Sequence, residues 1–598
     1  MNRQVRYSRL LASALLIAPF ALGSGCGDDD GDDKSNIDAG LDGSVPDGGG
    51  PDATVGPDGA VAPVGDVWAY TSTNTLLKIE RATGGVERSV AAQVPAGESV
   101  WGVDVRPSNG KLYAVTSLGN VYTIDPATGA FADKQALIPD ETDLELPFAA
   151  LSGASYAVDF NPVADRLRIV SNTGQNLRVN VDNGKVVTDT ALAPETPGIT
   201  AAAYTNNWPQ SAPATPCGTS LYLIDAAGAR LLLQSPPNAG ALSVSGTLSG
   251  VGTDIHAFDV VTTQSGANVG MLAATDGADE ALYQLDLVSA KATLLSKVSN
   301  RGKIVALFGA VLTAAPANKV GELVAITRGN RVVSFERGSP GTLCTDQPIT
   351  GDGFVAASDV IVGADVRASD ARLYVVTRNG DGETNGKLWR LDALTGVLSA
   401  GLGLTKVEGD AYAGLTGGDY GVDFNPVADR LRVVSDTGQN LAIDAATGKV
   451  TSGTALTLLA GITPATLSVT EVAYTNPSGA AQPVSTNATT LWAVDSSEDR
   501  LGTIGKDPAG AGADGPNGGV FQSPVLLGTA SLPLNGADIE AVSGLALAAL
   551  SVGDSPAAAE TNTQLYRINP TGTPVAVSLG KIGANGEPVR SLSFAPKP

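Results

Sequence analysis

Asp104 and Asp159 each stand between apolar neighbours, as Val-Asp-Val and Val-Asp-Phe. Asp365 and Asp423 repeat the arrangement further along the chain. Two carboxylates brought together could serve as acid and base in cleaving a glycosidic bond. On a strand, however, alternation turns such an Asp toward one face, where it can accept backbone hydrogen bonds from a neighbouring element. The structural role is the plainer expectation for all four, so no residue is assigned to catalysis.

Other residue groups invite similar weighing. Arg166 and Arg168, and their counterparts Arg430 and Arg432, are two apart and share a strand face. Such a pair could clamp an anionic ligand. The plainer reading pairs them with the turn residues Asp165 and Asp429 as salt bridges within one blade. Asn379, Asp381, Glu383 and Asn385 alternate oxygen donors and suggest Ca²⁺. The place where a calcium loop carries its closing Glu is Arg390, so a polar turn is expected there and no cofactor. His256 is the single histidine, which excludes a histidine-built metal cage. It reads as a buried structural residue, with Glu540-Ala-Val at its place in the second half. Cys217 and Cys344 fall in loops, one in each half, and could form a bridge outside the cytoplasm.

The chain that must position these groups has 598 residues, a net charge of −23 and 17% charged residues. A strongly acidic chain repels phosphates, so nucleic acid is not an expected partner. Gly at 72 and Pro at 35 imply many turns and few long helices. Residues 1–25 read as an export signal: Arg3, Arg6 and Arg9 precede an apolar run from Leu10 to Leu22, too short to span a membrane. Gly25-Cys26 follows and looks like a bacterial lipoprotein cleavage site, with Cys26 the lipidated residue. Gly23 departs from that pattern, where Leu is usual. Residues 26–64 hold ten Asp, one Lys and no aromatic residue, the composition of a disordered tether. The signal carries +3 and the tether −9, so −17 falls on residues 65–598.

Self-comparison organises the remainder. Tyr156–Asn176 reads YAVDFNPVADRLRIVSNTGQN, and Tyr420–Asn440 differs from it at three of 21 positions. GVDVRPSNGKLYAV at 102–115 matches GADVRASDARLYVV at 363–376, and AAAYTNN at 201–207 matches EVAYTNP at 471–477. Two modules follow, 65–312 and 320–598, with 313–319 as linker. Each contains five units in which a short alternating apolar strand ends at a Gly turn, as in NVYTIDPATG and KLWRLDALTG. Within one unit, 157–161, 166–170 and 177–181 read as successive strands, followed by KVVTDT. A spare strand ends each module, at 303 and at 589, as expected where a ring closes on itself. The fold class is therefore all-β. Two tandem five-bladed β-propellers are expected, with one ten-bladed ring as the alternative.

The motif DFNPVADRLRVVSDTGQNL, with its preceding LY strand pair and following AYTN strand, resembles the bacterial family known as domain of unknown function 4394. The resemblance covers both modules. It implies an exported β-propeller with no established activity, and it transfers no catalytic residue. The expected function is that of a non-catalytic, membrane-anchored lipoprotein that binds a protein, peptide or glycan. Its expected place is the outer membrane, periplasm or surface of a Gram-negative cell. A hydrolase or lyase acting on sugars or lactones through the strand carboxylates is the alternative.

Overall fold

The computed structural model of the protein describes residues 67–194, 198–210, 217–399, 401–475, 489–505, 515–540, 543–553, 561–586 and 588–596. The stretches expected to be an export signal and a tether, with Cys26, lie outside the described residues. Apart from two 3-10 turns of three residues, the described elements are strands, gathered in ten sheets of four or five. No helix among the described residues is long and apolar enough to cross a membrane.

Each sheet is one propeller blade, an antiparallel meander running from the ring centre outward. Blade 3 shows why the sequence folds so. Its strands are Tyr156–Asn161, Arg166–Ser171, Asn176–Asn180 and Lys185–Thr188. Leu167 and Ile169 pack with Tyr113 and Val115 of blade 2, strands within 100–136, while Ala157 and Val170 pack with Tyr204 and Leu221 of blade 4, strands within 199–247. Both faces of the inner strands are thus covered, so they read as nearly unbroken apolar runs. Polar residues return on the outermost strand. At the Asn183-Gly184 turn Gly184 has φ +72°, and a Cβ there would lie 2.0 Å from the Ala136 carbonyl oxygen. Only glycine fits both demands. The chain entering the blade supplies an unexpected fifth strand, Ile138–Pro139, which pairs in parallel with Lys185–Thr188 and covers the open edge. In the second half Thr405–Lys406 and Thr457–Leu458 do the same for their blades.

Ring closure decides between the two architectures. Ile304–Phe308 pairs with Val67–Thr71, joining Trp68 to Phe308 and Tyr70 to Ala306. Val589–Phe594 pairs with Leu323–Thr327, joining Leu323 to Phe594. Each module therefore completes its own first blade with its own last strand. The inner strands neighbour one another in two separate circuits of five. The protein has two five-bladed rings, not one ring of ten.

The rings also dock directly. Arg337 of the second ring donates to the Tyr222 hydroxyl at 2.7 and 2.9 Å and to the Leu287 carbonyl at 2.9 Å. The same guanidinium lies 3.3 Å from Glu322, and both are buried. Gly338 N–H donates to Ser220 Oγ, and Thr219 N–H donates to Ser339 Oγ. Cys217 and Cys344 are joined by a disulfide across this junction.

Candidate functional site: carboxylates on the ring axes

The inner strands bring the repeated aspartates to the two ring centres. In the first ring Asp104 accepts the Phe160 N–H at 2.7 Å, and Asp159 accepts the Tyr204 N–H at 3.0 Å. Asp259, on Ile255–Thr262, accepts the Gly309 N–H at 2.6 Å, next to the closing strand. In the second ring Asp365 accepts the Phe424 N–H at 2.8 Å, Asp423 accepts that of Tyr474, and Asp538 accepts that of Phe594 at 2.8 Å. The six form one pattern: an inner-strand carboxylate takes a main-chain N–H from the next blade along. Asp104, Asp159 and Asp259 correspond to Asp365, Asp423 and Asp538.

All six side chains are buried. Burial pushes Asp104, Asp159, Asp365 and Asp423 well above the usual carboxylate range, and the charges of neighbouring carboxylates add to the effect. Burial raises Asp259 and Asp538 to about 6, held back by the N–H groups they accept. Paired acids with raised pKa values resemble a catalytic pair. Here, however, each acid is bonded to the backbone of the neighbouring blade.

The rings differ at their centres. Glu471, on Val469–Tyr474, stands where the first ring has Ala201. It is 1% exposed, and burial raises its carboxyl well above the usual range. Its Oε1 accepts the Val472 N–H at 2.9 Å, and the Val422 N–H of the preceding blade also faces its carboxyl. Ser593 Oγ, at the place of Phe308, lies between Asp365 and Asp538, at 2.9 and 3.1 Å, with one proton to share between them. Carboxylate oxygens of Asp365, Asp423 and Asp538 lie within 4.8 Å of one another.

Three of these acids escaped sequence reasoning. Asp259 and Asp538 sit in apolar–Asp–apolar settings like the others, but HAFDV and GADIE do not align by eye. Glu471 was visible as a charge inserted into an otherwise matching AYTN strand. The register also corrects the comparison made for His256. With Asp259 matched to Asp538, its counterpart is Asn535, not Glu540. His256 lies half-buried between Glu280 at 3.1 Å and Asp254 at 3.4 Å.

The arginine motif is placed differently from expectation. Asp165 does not pair with an Arg of its own blade. It accepts Arg106 of blade 2 through two bonds, at 2.7 and 2.9 Å. Asp429 likewise accepts Arg367 of the preceding blade at 2.8 Å. The turn aspartates therefore link blades, because the turn projects past its own sheet. Arg168 is buried against Asp189 at 2.6 Å, Asn176, Asn238 and Tyr204. Arg432 is buried against Asn440, Asn517 and Tyr474. Arg166 donates to the Asp165 carbonyl, and Arg430 pairs with Asp444 at 3.0 Å. These arginines do not converge on a ligand.

The oxygen donors of the 379–385 turn also diverge. Asp381 pairs with Arg378 at 2.5 Å and Glu383 with Lys406 at 3.0 Å. Asn379 donates to Asp359, and Asn385 donates to the Gly380 and Leu415 carbonyls. They shape a turn and do not form a cage.

The family model described as Domain of unknown function (DUF4394) matches residues 68–307 and 331–593. The chain belongs to this family. The two matched stretches are the two rings, so one family unit is one closed five-bladed propeller. No curated protein matches the chain. Among solved structures, similarity extends to a Lactobacillus plantarum protein at 13% identity, covering 63% of this chain and 95% of that one, with a TM-score of 0.25. A putative 6-phosphogluconolactonase from Bacteroides fragilis is 12% identical, covering 63% and 94%, with a TM-score of 0.26. The computationally designed protein Ika8 is 9% identical, covering 77% and 96%, with a TM-score of 0.20.

Proposed function

We propose that the protein is an exported binding scaffold, anchored through lipid on Cys26 and held off the membrane by the Asp-rich segment 26–64. Its two rings present one rigid surface to a protein, peptide or glycan in the envelope of a Gram-negative cell. The observation that carries this reading is a cleft of about 460 Å³ between the rings. Lys319, Glu322, Asn268 and Tyr222 offer polar groups there, and Leu287 and Leu394 offer apolar surface. A concave seat of this size with a few converging polar groups suits a small ligand or the anchor of a larger one. Sugar or lactone cleavage would instead need carboxylates open to substrate, whereas the inner-strand acids are buried and bonded to neighbouring backbone.

Capture from envelope fractions by the immobilised mature chain tests the reading. Leu394→Arg fills the cleft from its half-buried rim. The scaffold reading expects a retained partner that is lost with this variant. Capture unaffected by Leu394→Arg, or turnover in a panel of glycosides and lactones, would sink it.

A further inference from the structure

The second ring departs from the first in the space between its last two blades. Blade 9, with strands within 469–526, and blade 10, with strands within 532–581, enclose a pocket of about 100 Å³. We propose that this pocket binds a small uncharged molecule with a single aromatic ring. It shares no lining residue with the cleft between the rings, so the inference stands apart from the scaffold reading.

The two rings, laid over one another by strand register, show how the pocket arises. With Asp259 matched to Asp538, Phe258 corresponds to Ala537. Phe258 pairs across its sheet with Leu272, and Ala537 pairs with Ala548. Tyr283 and Tyr566 hold the same place on the next strand. On the facing blade, Ala203 pairs with Tyr222 in the first ring and Ala473 with Trp492 in the second. Phe258 and Leu272 are buried in one cluster with Tyr222, Ile224 and Leu285. Where the first ring has a phenyl and an isobutyl group, the second has two methyl groups, and the blades have not closed over the difference. A core that loses such groups relaxes only in part and keeps a cavity.

Size and charge select the occupant. The first ring fills the matching space with the phenyl ring of Phe258. An apolar cavity of about 150 Å³ engineered in another protein stays dry and takes up benzene. Here Val494, Leu501 and Ile568 supply apolar wall, and Trp492 supplies an indole for a second ring to pack on. No Lys or Arg lines the pocket, whereas the buried carboxyls of Glu471 and Asp538 do. An anion would be left without compensation there, so a ring carrying a carboxylate or phosphate is rejected. Burial raises both carboxyls, which weakens their hold on a cation as well.

The pocket is also reachable. Ala537, Ala546, Trp492, Ile568 and Pro570 line it and are half-buried. In the first ring the same side is covered. Arg337 lies 5.4 Å from the centre of the Tyr222 ring and donates to its hydroxyl. Leu287, the counterpart of Pro570, gives its carbonyl to the same guanidinium. The second ring thus seals this side of the first and leaves its own partly exposed.

Ligand-detected NMR titration and the melting temperature of the full chain test it, with p-cresol as the probe and benzoate as its anionic control. Saturable binding of p-cresol with a higher melting temperature is expected, and binding of benzoate at least about tenfold weaker. Ala537→Phe and Ala548→Leu each return the residue of the first ring. Each is expected to weaken p-cresol binding at least about tenfold while keeping or raising the melting temperature of the free chain, as cavity filling does. Ala548→Leu carries the test where Ala537→Phe overfills the space. Leu394→Arg, in the cleft between the rings, is expected to leave p-cresol binding unchanged, so this site and the scaffold reading fail separately. Absence of saturable p-cresol binding overturns the proposal. So does benzoate held as tightly as p-cresol, or p-cresol binding that survives both filling substitutions in folded chains, which would place the ligand elsewhere.

Discussion

Asp104 Oδ2 lies 2.7 Å from the main-chain nitrogen of Phe160, across the gap between two neighbouring blades. The bond explains a buried acid without a catalytic role. An inner strand at the ring centre has main-chain groups that its own sheet does not satisfy, and a carboxyl from the preceding blade supplies an acceptor. The same bond joins Asp365 to Phe424, so duplication preserved it.

Asp104→Asn keeps an acceptor of the same shape and removes an acid that burial already disfavours as an anion. Its stability is expected to stay within about 1 kcal/mol of the parent chain. Asp104→Ala leaves the Phe160 N–H buried without a partner and is expected to cost about 1–3 kcal/mol. Urea denaturation compares the two. Equal losses would show that charge, not acceptance of the N–H, is what matters at this position.

The first-ring acids also set a pH dependence. Asp259 is raised to about 6, and burial lifts Asp104 and Asp159 well above the usual carboxylate range, against about 3.9 in an unfolded chain. Between these limits the folded state holds more protons, so stability falls as pH rises through the window. Asp165 and Asp182 are shifted the other way, by bonds to Arg106, and their contribution is lost in more acid solution. The melting temperature is expected to peak near about pH 4–5 and decline toward neutrality. A melting temperature that climbs steadily to pH 7 would contradict the assignment.

Arg337 should be irreplaceable at the junction of the rings. Arg337→Ala removes the partner of the buried Glu322 and is expected to cost about 3–5 kcal/mol. Arg337→Lys restores charge but not the forked donation to Tyr222, so rescue should be incomplete. Thermal unfolding of the three chains side by side checks the order.

The Cys217–Cys344 bridge closes a long loop, with 127 residues separating the two cysteines. Substituting both by Ser is expected to lower stability by about 2–4 kcal/mol. Intact mass should rise by about two daltons on reduction, as a two-electron couple requires. Labelling of both thiols in unreduced, folded protein would show the bridge to be absent.

The sequence by itself determined the architecture. Period-two alternation, glycines at the turns and an 18-of-21 match between Tyr156–Asn176 and Tyr420–Asn440 specified strands, blades and two modules. These signals are local, or repeat at fixed spacing, so one chain suffices to read them. Tertiary structure alone decided which strand closes which ring, because Ile304–Phe308 could pair with Val67–Thr71 or pass the sheet onward. It also decided the partners of the charged residues. Asp165 and Arg166 are adjacent in sequence, yet Asp165 bonds Arg106 of another blade, since a turn at a sheet edge faces its neighbour. Asp365, Asp423 and Asp538 are scattered over more than a hundred residues. Only closing the ring brings them to one point, and no spacing along the chain encodes that meeting.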